Sequence, residues 1–361
     1  MIIYNWGWGD VYLNYIGSKH SIIDFIEESI LDVVGYDKKY TLCDIFAGTG
    51  VVGKRFKSIG YNIISNDNQY YSYVINKHFI ENNDNITFNK LRLNGIENVF
   101  IYLNKLDNYK GFIYKNYTEE GTKDSNYTRM YFTIENAIKI DSIRNQIEKW
   151  YKSDLISKFE YYYLLTCLLE AADKVANTAS VYEAFLKKMK RSAQNKLEIK
   201  ELPILINKNT SNIVYKEDCN ELIKHICGDI LYMDPPYNAR KYNTNYHILE
   251  TIAYGDMPEI KGKTGIRCDG TTSKFNIKNE AINALEDIIK NAKFKYIFLS
   301  YNDEGIMNID DIENIMRKYG TYKRYEKNHK RYKANKDKEV TKKTTIEYLH
   351  VLIKEGLAWN I

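Results

Sequence analysis

Four consecutive residues, Asp234-Pro235-Pro236-Tyr237, carry the clearest chemical signal in this chain of 361 residues. Asp234 is the last residue of the apolar run 229–234, which predicts a buried strand, and the other three residues come directly after it. Two prolines cannot continue a hydrogen-bonded ladder within a sheet, so the chain must leave the sheet here. Pro236 also restricts Pro235 to an extended conformation and fixes the direction of its carbonyl group. The sequence therefore predicts a rigid turn in which the Asp234 carboxylate and the Pro235 carbonyl accept hydrogen bonds beside the ring of Tyr237.

These predicted catalytic groups suit chemistry on the exocyclic amino group of a base. The lone pair of such an amine is delocalised into the ring, so the nitrogen is a poor nucleophile. Two acceptors that bind both N–H groups draw the nitrogen toward a tetrahedral shape, and an aromatic ring can hold the base by stacking. A structural proline turn is the simple alternative. No metal is predicted, because a donor with a positively charged sulfur already activates its methyl group.

The residues just past this turn are expected to line the same pocket. They are Asn243, Asn245, Tyr246 and His247. A single histidine in such a place is more readily a packed or hydrogen-bonded residue than a general base. We therefore assign no catalytic role to His247.

A second signal is the glycine-rich stretch DIFAGTGVVG, which overlaps a predicted strand at 41–46. It places Asp44 near the strand end and Gly48, Gly50 and Gly53 in the turn and the following helix. Glycine lets the backbone approach a ligand closely at the carboxyl edge of the strand. The same spacing satisfies the GxGxxG pattern of nicotinamide- and flavin-binding folds. This stretch alone therefore does not decide between cofactors, nor does it exclude a purely structural turn.

Acidic residues follow two further predicted strands. Asp67 lies 17 positions after Gly50, where a carboxylate can accept hydrogen bonds from ribose hydroxyls. Asp218 follows the predicted strand 212–216 and can accept a hydrogen bond from the adenine amino group of a cofactor. A helix N-cap is the ordinary alternative for both residues. Lys19 offers a cation for a cofactor carboxylate, although a surface lysine beside a helix start is common. The predicted cofactor contacts are Tyr15, Gly17, Lys19, Asp44, Phe46, Ala47, Gly48, Gly50, Asp67, Asp218 and Cys219.

Short apolar runs that alternate with helical periodicity indicate an α/β fold. The segment 83–209 interrupts this alternation and is mainly helical. Two strands before it are too few for a separate domain, so we expect one doubly wound sheet with a large helical insertion. Segments 1–82 and 210–361 then form the domain that carries the site. Strands are predicted at 41–46, 61–65, 212–216, 229–234, 295–300, 321–326 and 344–353.

The bulk composition excludes several classes of protein. No run of about 18 apolar residues is present, so no membrane span is predicted. The N-terminus lacks the features of a secretory signal. The 5 cysteines form no CxxC pair, which argues against a disulfide framework and a structural zinc site and fits a reduced cytoplasm. The net charge of +5 is modest, so it matters only where the charges cluster.

Two stretches, 186–200 and 323–343, are strongly basic. The second is interleaved with Tyr325 and Tyr332, which suits contact with phosphates beside the site. A solvated loop is the ordinary alternative, because charge runs usually face water. The glycine-containing loop 255–280 is expected to close over the base. The predicted DNA contacts are Lys188, Arg191, Arg240, Arg267, Arg324, Lys327, Lys330 and Arg331.

These motifs resemble those of the N6-adenine DNA methyltransferases of bacterial restriction–modification systems. The closer resemblance is to the Dam-like alpha group, in which the cofactor motif precedes the catalytic motif. YIGSK resembles the N-terminal cofactor motif of that family, DIFAGTG its FxGxG motif and DPPY its catalytic tetrad. SNDNQYYS and YKEDCNEL resemble the stretches that supply its ribose-binding and adenine-binding acids. EAADKVANTASVYEAFLK, NYHILETIAYGD and LSYNDEGIM resemble the subgroup that includes the FokI-type modification enzymes.

The resemblance implies a Rossmann-like, seven-stranded methyltransferase sheet. It further implies S-adenosylmethionine as the donor and base flipping as the route to N6 of adenine in double-stranded DNA. It assigns segment 83–209 to target recognition and implies a cognate restriction endonuclease as a partner. An RNA, protein-glutamine or N4-cytosine methyltransferase stays open as an alternative, as does an inactive DNA-binding specificity partner. A nicotinamide-dependent dehydrogenase is disfavoured, because it leaves the DPPY turn unexplained.

Overall fold

One mixed sheet dominates the fold of this chain. The structure is a computed structural model that describes residues 13, 15–36, 38–238, 242–330 and 344–355. The strands in this part of the chain are β1 (Thr41–Asp44), β2 (Asn62–Asn66), β3 (Ile213–Tyr215), β4 (Ile230–Met233), β5 (Ile260–Lys261), β6 (Ile266–Arg267), β7 (Tyr296–Asn302), β8 (Gly320–Lys330) and β9 (Thr344–Lys354). Seven of them form the sheet in the order β3-β2-β1-β4-β7-β9-β8, and β5 and β6 pair separately. The predicted seven-stranded α/β sheet is confirmed.

The sheet is parallel except at one edge. β1 pairs in parallel with both β2 and β4, β3 extends the sheet beyond β2, and β7 extends it beyond β4. β9 runs antiparallel between β7 and β8. The strand order reverses between β1 and β4, so a crevice opens outside the carboxyl ends of these two strands. The antiparallel β9 begins at this same edge, because its Glu347 pairs with Asn302 at the end of β7.

Helices cover both faces of the sheet. They are α1 (Ile23–Val34), α2 (Val51–Ser58), α3 (Tyr70–Asn76), α4 (Asn89–Leu93), α5 (Val99–Asn104), α6 (Phe112–Tyr117), α7 (Ile134–Lys152), α8 (Lys158–Lys174), α9 (Cys219–Leu222), α10 (Tyr242–Asn245), α11 (His247–Tyr254), α12 (Lys278–Asn291) and α13 (Ile309–Arg317). Ile26 of α1 and Phe56 of α2 pack on one face, while Leu285 of α12 and Ile312 of α13 pack on the other. Each of these four helices buries one apolar stripe in this way. Among the described residues, no helix combines the length and apolar character that a membrane crossing requires.

The helices of segment 83–209 pack directly onto the elements that carry the site. This segment contains α4 to α8. Leu164 of α8 shares one core with Val74 of α3 and Leu249 of α11. After α8 the segment continues without an α-helix up to β3, which differs from the mainly helical character predicted there. The insertion is therefore anchored on α3, which follows β2, and on α11, which follows the turn 234–237 that is predicted to be catalytic and is called the catalytic turn below.

Most strands differ from the sequence prediction at one or both ends, and β8 differs most. β1 ends at Asp44 rather than at position 46, because the chain already turns there toward the glycines. β8 extends over Gly320–Lys330, beyond the predicted 321–326, because its polar residues continue the ladder with β9. The short hairpin of β5 and β6 lies within the predicted loop 255–280.

Candidate active site

The carboxyl ends of four parallel strands surround a cavity of about 340 Å³. Asp44 ends β1, Asp67 follows β2, Asp218 lies beyond β3, and Asp234 follows β4. The four acidic residues predicted from separate motifs thus meet at one edge of the sheet. The predicted residues that line the cavity are Tyr15, Gly17, Lys19, Asp44, Phe46, Ala47, Gly48, Asp67, Asp218, Cys219, Asp234 and Pro236. Gly50, Pro235 and Tyr237 lie outside this lining.

The turn between β1 and α2 requires glycine at two positions. Gly48 has a φ of +51° and Gly50 a φ of +73°, in the left-handed region that other residues rarely adopt. A Cβ atom at position 48 would lie 2.9 Å from Cε1 of Tyr15, so no side chain fits this part of the cavity wall. At position 50 it would lie 2.5 Å from Oδ1 of the buried Asn76. Gly50 therefore permits close packing of the turn against α3 and does not line the cavity.

Asp67 fastens the glycine turn to the loop after β2. Its Oδ2 accepts a hydrogen bond from the backbone N–H of Gly48 at 2.8 Å, and its Oδ1 accepts one from Gln69 at 2.9 Å. Burial raises the pKa of this carboxyl group, and the backbone hydrogen bonds oppose the rise. The N-cap residue of α3 is Gln69, so the helix-cap alternative for Asp67 is wrong. Asp67 instead lines the cavity, and its contact with a ribose stays a prediction.

Asp218 is a helix cap that also lines the cavity, and its contact with the adenine of a cofactor stays a prediction. It is the N-cap residue of α9, and its Oδ1 accepts hydrogen bonds from the backbone N–H of Asn220 at 2.9 Å and Glu221 at 3.3 Å. It also lines the cavity, together with Phe46. The ring of Phe46 packs edge-on against Phe275 at 5.1 Å between centroids. The end of β3 and the start of the β1 turn thus offer an acidic group beside a fixed aromatic ring.

Asp44 is a buried carboxylate with an unsatisfied oxygen. The residue is 2% exposed, and its Oδ1 has no hydrogen-bond partner. Burial raises the pKa of Asp44 well above its usual value, and the nearby charges of Asp234 and Asp67 raise it further. A buried acceptor without a partner is costly, so such groups in folded proteins usually have a role. Because Asp44 lines the cavity, a cationic group on a bound ligand would satisfy it.

The catalytic turn is held by a buried cluster of charged and polar groups. Nζ of Lys19 lies 2.9 Å from Oδ1 of Asp234, 2.5 Å from the hydroxyl of Tyr237 and 3.2 Å from Oε1 of Glu347. The Tyr237 hydroxyl lies 2.6 Å from Oδ1 of Asp234 and 2.8 Å from Oε1 of Glu347. Ser300 of β7 donates a further hydrogen bond to this oxygen of Glu347 at 2.8 Å. The ammonium group of Lys19 therefore forms ion pairs with two carboxylates, those of Asp234 and Glu347.

This cluster changes the interpretation of Lys19 and adds two residues. Lys19 is predicted to bind a cofactor carboxylate, but in the structure it pairs with Asp234 and Glu347, although it also lines the cavity. Glu347 and Ser300 are not among the predicted site residues. The available signal for Glu347 was a single acidic residue within the mostly apolar run of β9. Its side chain is buried, which an isolated surface glutamate would not be.

Backbone contacts fix the chain that follows the catalytic prolines. Ile306 donates its backbone N–H to the carbonyl oxygen of Tyr237 at 2.8 Å, and Nδ2 of Asn276 donates to the carbonyl oxygen of Asn238 at 2.8 Å. The ring of Tyr237 packs edge-on against Tyr301, with 4.9 Å between centroids. The ring therefore lies behind the cavity wall, and its stacking on a base stays a prediction.

Among the residues just past the turn, Asn243 lines the cavity, and His247 does not. Both ring nitrogens of His247 are within hydrogen-bond distance of backbone carbonyls, those of Thr244 at 2.8 Å and Thr264 at 3.0 Å. Burial lowers the pKa of His247 to about 4. The interpretation of His247 as a hydrogen-bonded residue rather than a base is thus confirmed.

The predicted DNA contact at Arg267 is wrong in this conformation. The residue is 6% exposed, and its guanidinium forms ion pairs with Asp256 and Asp269, each at 2.7 Å. The two carboxylates neutralise its charge and accept hydrogen bonds from its N–H groups. Arg267 therefore stabilises the loop after α11, and its own guanidinium is engaged by these carboxylates rather than presented to a phosphate.

The other predicted DNA contacts lie on two surfaces. Lys188 and Arg191 are exposed on the segment after α8, and Arg324 and Lys327 lie on β8. The guanidinium of Arg324 stacks over the ring of Tyr348 at 4.7 Å. Lys330 is described only through its backbone pairing with Thr344, and Arg240 and Arg331 lie outside the described residues. β8 runs toward the edge of the sheet that holds the cavity, because it ends opposite the start of β9.

The family of the chain follows from its similarity to known proteins. Residues 15–315 match the family described as D12 class N6 adenine-specific DNA methyltransferase. The Type II methyltransferase M.NlaIII of Neisseria lactamica is 43% identical over 347 residues, which cover 95% of this chain and 99% of that protein. M.CviAII of Paramecium bursaria Chlorella virus 1 is 34% identical over 332 residues, which cover 89% and 93%. M.FokI of Planomicrobium okeanokoites is 39% identical over 350 residues, which cover 95% of this chain but 53% of that protein. The chain therefore belongs to the D12 class of N6 adenine-specific DNA methyltransferases and is an enzyme that methylates adenine in DNA.

Proposed function

We propose that this enzyme transfers a methyl group from S-adenosylmethionine to N6 of an adenine flipped out of double-stranded DNA. The observation that carries the proposal is the shared cavity. The glycine turn after β1 and the catalytic turn after β4 line the same space. A nucleoside cofactor bound at the first turn thus has its reactive end beside the acceptor groups of the second. Double-stranded DNA hides N6 within the stack, so the target base must leave the helix to reach this cavity.

The residues of the cavity fit S-adenosylmethionine group by group. Asp44 offers an unsatisfied buried oxygen to the ammonium group of the methionine part. Asp67 lies where it can accept hydrogen bonds from the ribose hydroxyls, and Asp218 where it can accept one from the adenine amino group. Phe46 supplies an aromatic wall for the adenine ring. When bound, the cofactor supplies a methyl group that its positively charged sulfur has already activated.

The catalytic turn acts on the adenine amino group by accepting its two hydrogens. We assign one acceptor to the carboxylate of Asp234 and the other to the carbonyl of Pro235. This requires an ionised Asp234, and burial opposes ionisation by raising its pKa. The ammonium group of Lys19, 2.9 Å away, lowers the pKa in return. Lys19 thereby favours the ionised carboxylate that frees the nitrogen lone pair, and much of the rate comes from this positioning.

Contact with DNA is assigned to the surfaces around the cavity. Arg324 and Lys327 on β8 suit phosphate contact, and so do the exposed Lys188 and Arg191. Segment 83–209 is proposed as the target-recognition region, since it is anchored on the helices that border the site. Several relatives are named Type II methyltransferases, so we place this enzyme in a restriction–modification system with a cognate endonuclease.

The experiment that tests the proposal is methyl transfer from tritiated S-adenosylmethionine in competition between duplex DNA, RNA and protein. We expect label on duplex DNA alone, in N6-methyladenine. Label on RNA or protein, or in N4-methylcytosine, supports the corresponding alternative enzyme, and no label on any substrate supports the inactive specificity partner. Replacement of the target adenine by 2-aminopurine should give a rise in fluorescence on binding if the base leaves the stack.

The matched variant for this experiment is Asp234→Ala. It removes an acceptor for the target amino group but leaves the residues assigned to the cofactor in place. We expect transfer to be lost while S-adenosylmethionine still binds, as measured by calorimetry. DNA methylated by the unmodified enzyme should resist the cognate nuclease, whereas DNA treated with the variant should be cut.

A further inference from the structure

Glu347 is a buried carboxylate of the catalytic cluster that does not line the cavity. It is 5% exposed, although it lies on a strand whose neighbouring residues are mostly apolar. Its Oε1 is within hydrogen-bond distance of three donors, Nζ of Lys19 at 3.2 Å, the hydroxyl of Tyr237 at 2.8 Å and the hydroxyl of Ser300 at 2.8 Å. A buried charge is costly unless it is paired. The protein therefore maintains a second carboxylate beside Asp234 at a cost in stability.

The charges of this cluster do not cancel. Asp234 and Glu347 together carry two negative charges when ionised, and Lys19 is their ammonium partner. The Tyr237 hydroxyl has one proton, so at a given moment it donates to only one of the two carboxylates. The Tyr237 hydroxyl lies within hydrogen-bond distance of both carboxylates, so a proton can pass from one carboxylate to the other through it. The cluster is thus suited to receive a proton.

Methyl transfer to N6 releases one proton at this place. As the nitrogen lone pair forms the N–C bond, the electron pair of the S–C bond moves to sulfur, and one N–H proton must leave. We propose that Glu347 is the final acceptor of this proton within the protein. The proton passes from N6 to Asp234, the Asp234 proton moves to the oxygen of Tyr237, and the hydroxyl proton of Tyr237 moves to Glu347. Asp234 and Tyr237 then return to their starting states, and Glu347 is neutral.

The geometry supplies each link of this relay. The hydroxyl of Tyr237 lies 2.6 Å from Asp234 and 2.8 Å from Glu347, so it bridges the two carboxylates. Glu347 touches no substrate in this scheme and acts through Tyr237 and Lys19. It is a positioning and relay residue, and the inference rests on the proposed function because the proton comes from N6.

Neighbouring groups give the relay a testable pH signature. Among the described residues, the ionisable groups that interact with Asp234 or Glu347 include Lys19, Asp44, Tyr232, Tyr237 and Tyr242. Burial is the main cause of the raised pKa of Asp234, and the charge of Glu347 raises it further. Burial acts to lower the pKa of Lys19, but the charges of Asp234 and Glu347 hold it above its usual value. Removal of the charge of Glu347 therefore lowers both pKa values.

The test is Glu347→Gln, which keeps the shape of the side chain and removes its charge. Its matched control is Glu286→Gln, because Oε1 of Glu286 also lies near a lysine and a tyrosine, Lys318 at 3.0 Å and Tyr319 at 3.4 Å, away from the cavity. The single-turnover rate constant for methylation of duplex DNA is measured as a function of pH. The affinity for S-adenosylmethionine is measured by calorimetry. General acid–base groups contribute on the order of 100-fold or more, so a relay residue should cost at least about tenfold. The control should stay within about twofold of the unmodified enzyme.

Two further results are expected for Glu347→Gln. Both limbs of its rate profile should move to lower pH, and its affinity for S-adenosylmethionine should be unchanged. Tyr237→Phe breaks the same relay, so the double variant should be no slower than the slower single variant. An unchanged rate, an unchanged pH profile, or losses that multiply in the double variant would each overturn the proposal. If Glu347→Gln does not fold, Tyr237→Phe decides, and full transfer by that variant overturns the relay. Failure of the unmodified enzyme to methylate DNA would instead contradict the proposed function.

Discussion

Asp44→Asn should have opposite effects on the free enzyme and on its cofactor complex. The substitution keeps the size of the side chain and removes its charge. In the free protein the unsatisfied Oδ1 of Asp44 lies in a site that is 2% exposed. Burial of the carboxylate is the main cause of its raised pKa, and one pKa unit corresponds to about 1.4 kcal/mol, so we expect the free variant, which carries no charge here, to be more stable by ~1 kcal/mol or more at neutral pH. In the complex, a charge-assisted hydrogen bond of about 1.5–3 kcal/mol is lost, which raises Kd for S-adenosylmethionine about 10- to 150-fold.

The pH dependence of the stability gain has a definite sign. Burial raises the pKa of Asp44 in the folded protein well above that in the unfolded chain. The unmodified protein therefore loses stability as pH rises from about 4 through the folded pKa, whereas the asparagine variant does not. The stability advantage of the variant should be present at neutral pH and should vanish in acid.

Denaturant unfolding and calorimetry measure the two effects of Asp44→Asn. Methylthioadenosine, which lacks the ammonium group, is the matched ligand, and its affinity should be the same for both proteins. Equal affinity of both proteins for S-adenosylmethionine would refute the reasoning. So would an equal loss of affinity for methylthioadenosine, because the damage would then not be specific to the ammonium group.

Three further perturbations have defined outcomes. Gly48→Ala places a Cβ 2.9 Å from Tyr15 at a φ of +51°, so it should cost ~1–2 kcal/mol of stability and at least about tenfold in cofactor affinity, measured by denaturant unfolding and calorimetry. Glu250 accepts hydrogen bonds at the start of α3, and burial raises its pKa to about 7. The pKa of Glu250 is higher in the folded protein than in the unfolded chain. As the pH rises from ~4.3 to 7, the unmodified protein should therefore lose up to about 3 kcal/mol of unfolding free energy relative to Glu250→Gln, measured by denaturant unfolding. Arg324→Ala and Lys327→Ala should weaken binding to all DNA sequences alike, and each should reduce the salt slope of binding by about 1; an effect confined to one sequence would contradict a phosphate contact.

The sheet and most of the cavity were predictable because their signals are local. An apolar run followed at once by Asp44, Asp67 or Asp234 places an acid at a strand end. Parallel strands then bring these ends to one edge without further information. The glycine turn was equally predictable from the sequence, since glycine readily adopts the φ of +73° found at Gly50 and other residues rarely do.

The remaining features depend on contacts between distant parts of the chain. Tyr237 and Glu347 are 110 positions apart, so their hydrogen bond leaves no trace in local spacing. For the same reason Lys19 looked like a free cation for the cofactor, although it is held by two carboxylates. Arg267 is a different case, because Asp256 and Asp269 lie only 11 and 2 positions away, but the sequence does not show that the loop folds so that both carboxylates pair with this guanidinium.

The most direct test of the central claim is nucleoside analysis of DNA after reaction with the unmodified enzyme and with Asp234→Ala. The claim is that the Asp234 carboxylate and the Pro235 carbonyl accept hydrogen bonds from N6 of a flipped adenine. We predict that the unmodified enzyme produces N6-methyladenine within one recognition sequence. The variant should produce none, even though it still binds S-adenosylmethionine. Methylated adenine at undiminished yield from the variant, or N4-methylcytosine as the product, would contradict this account.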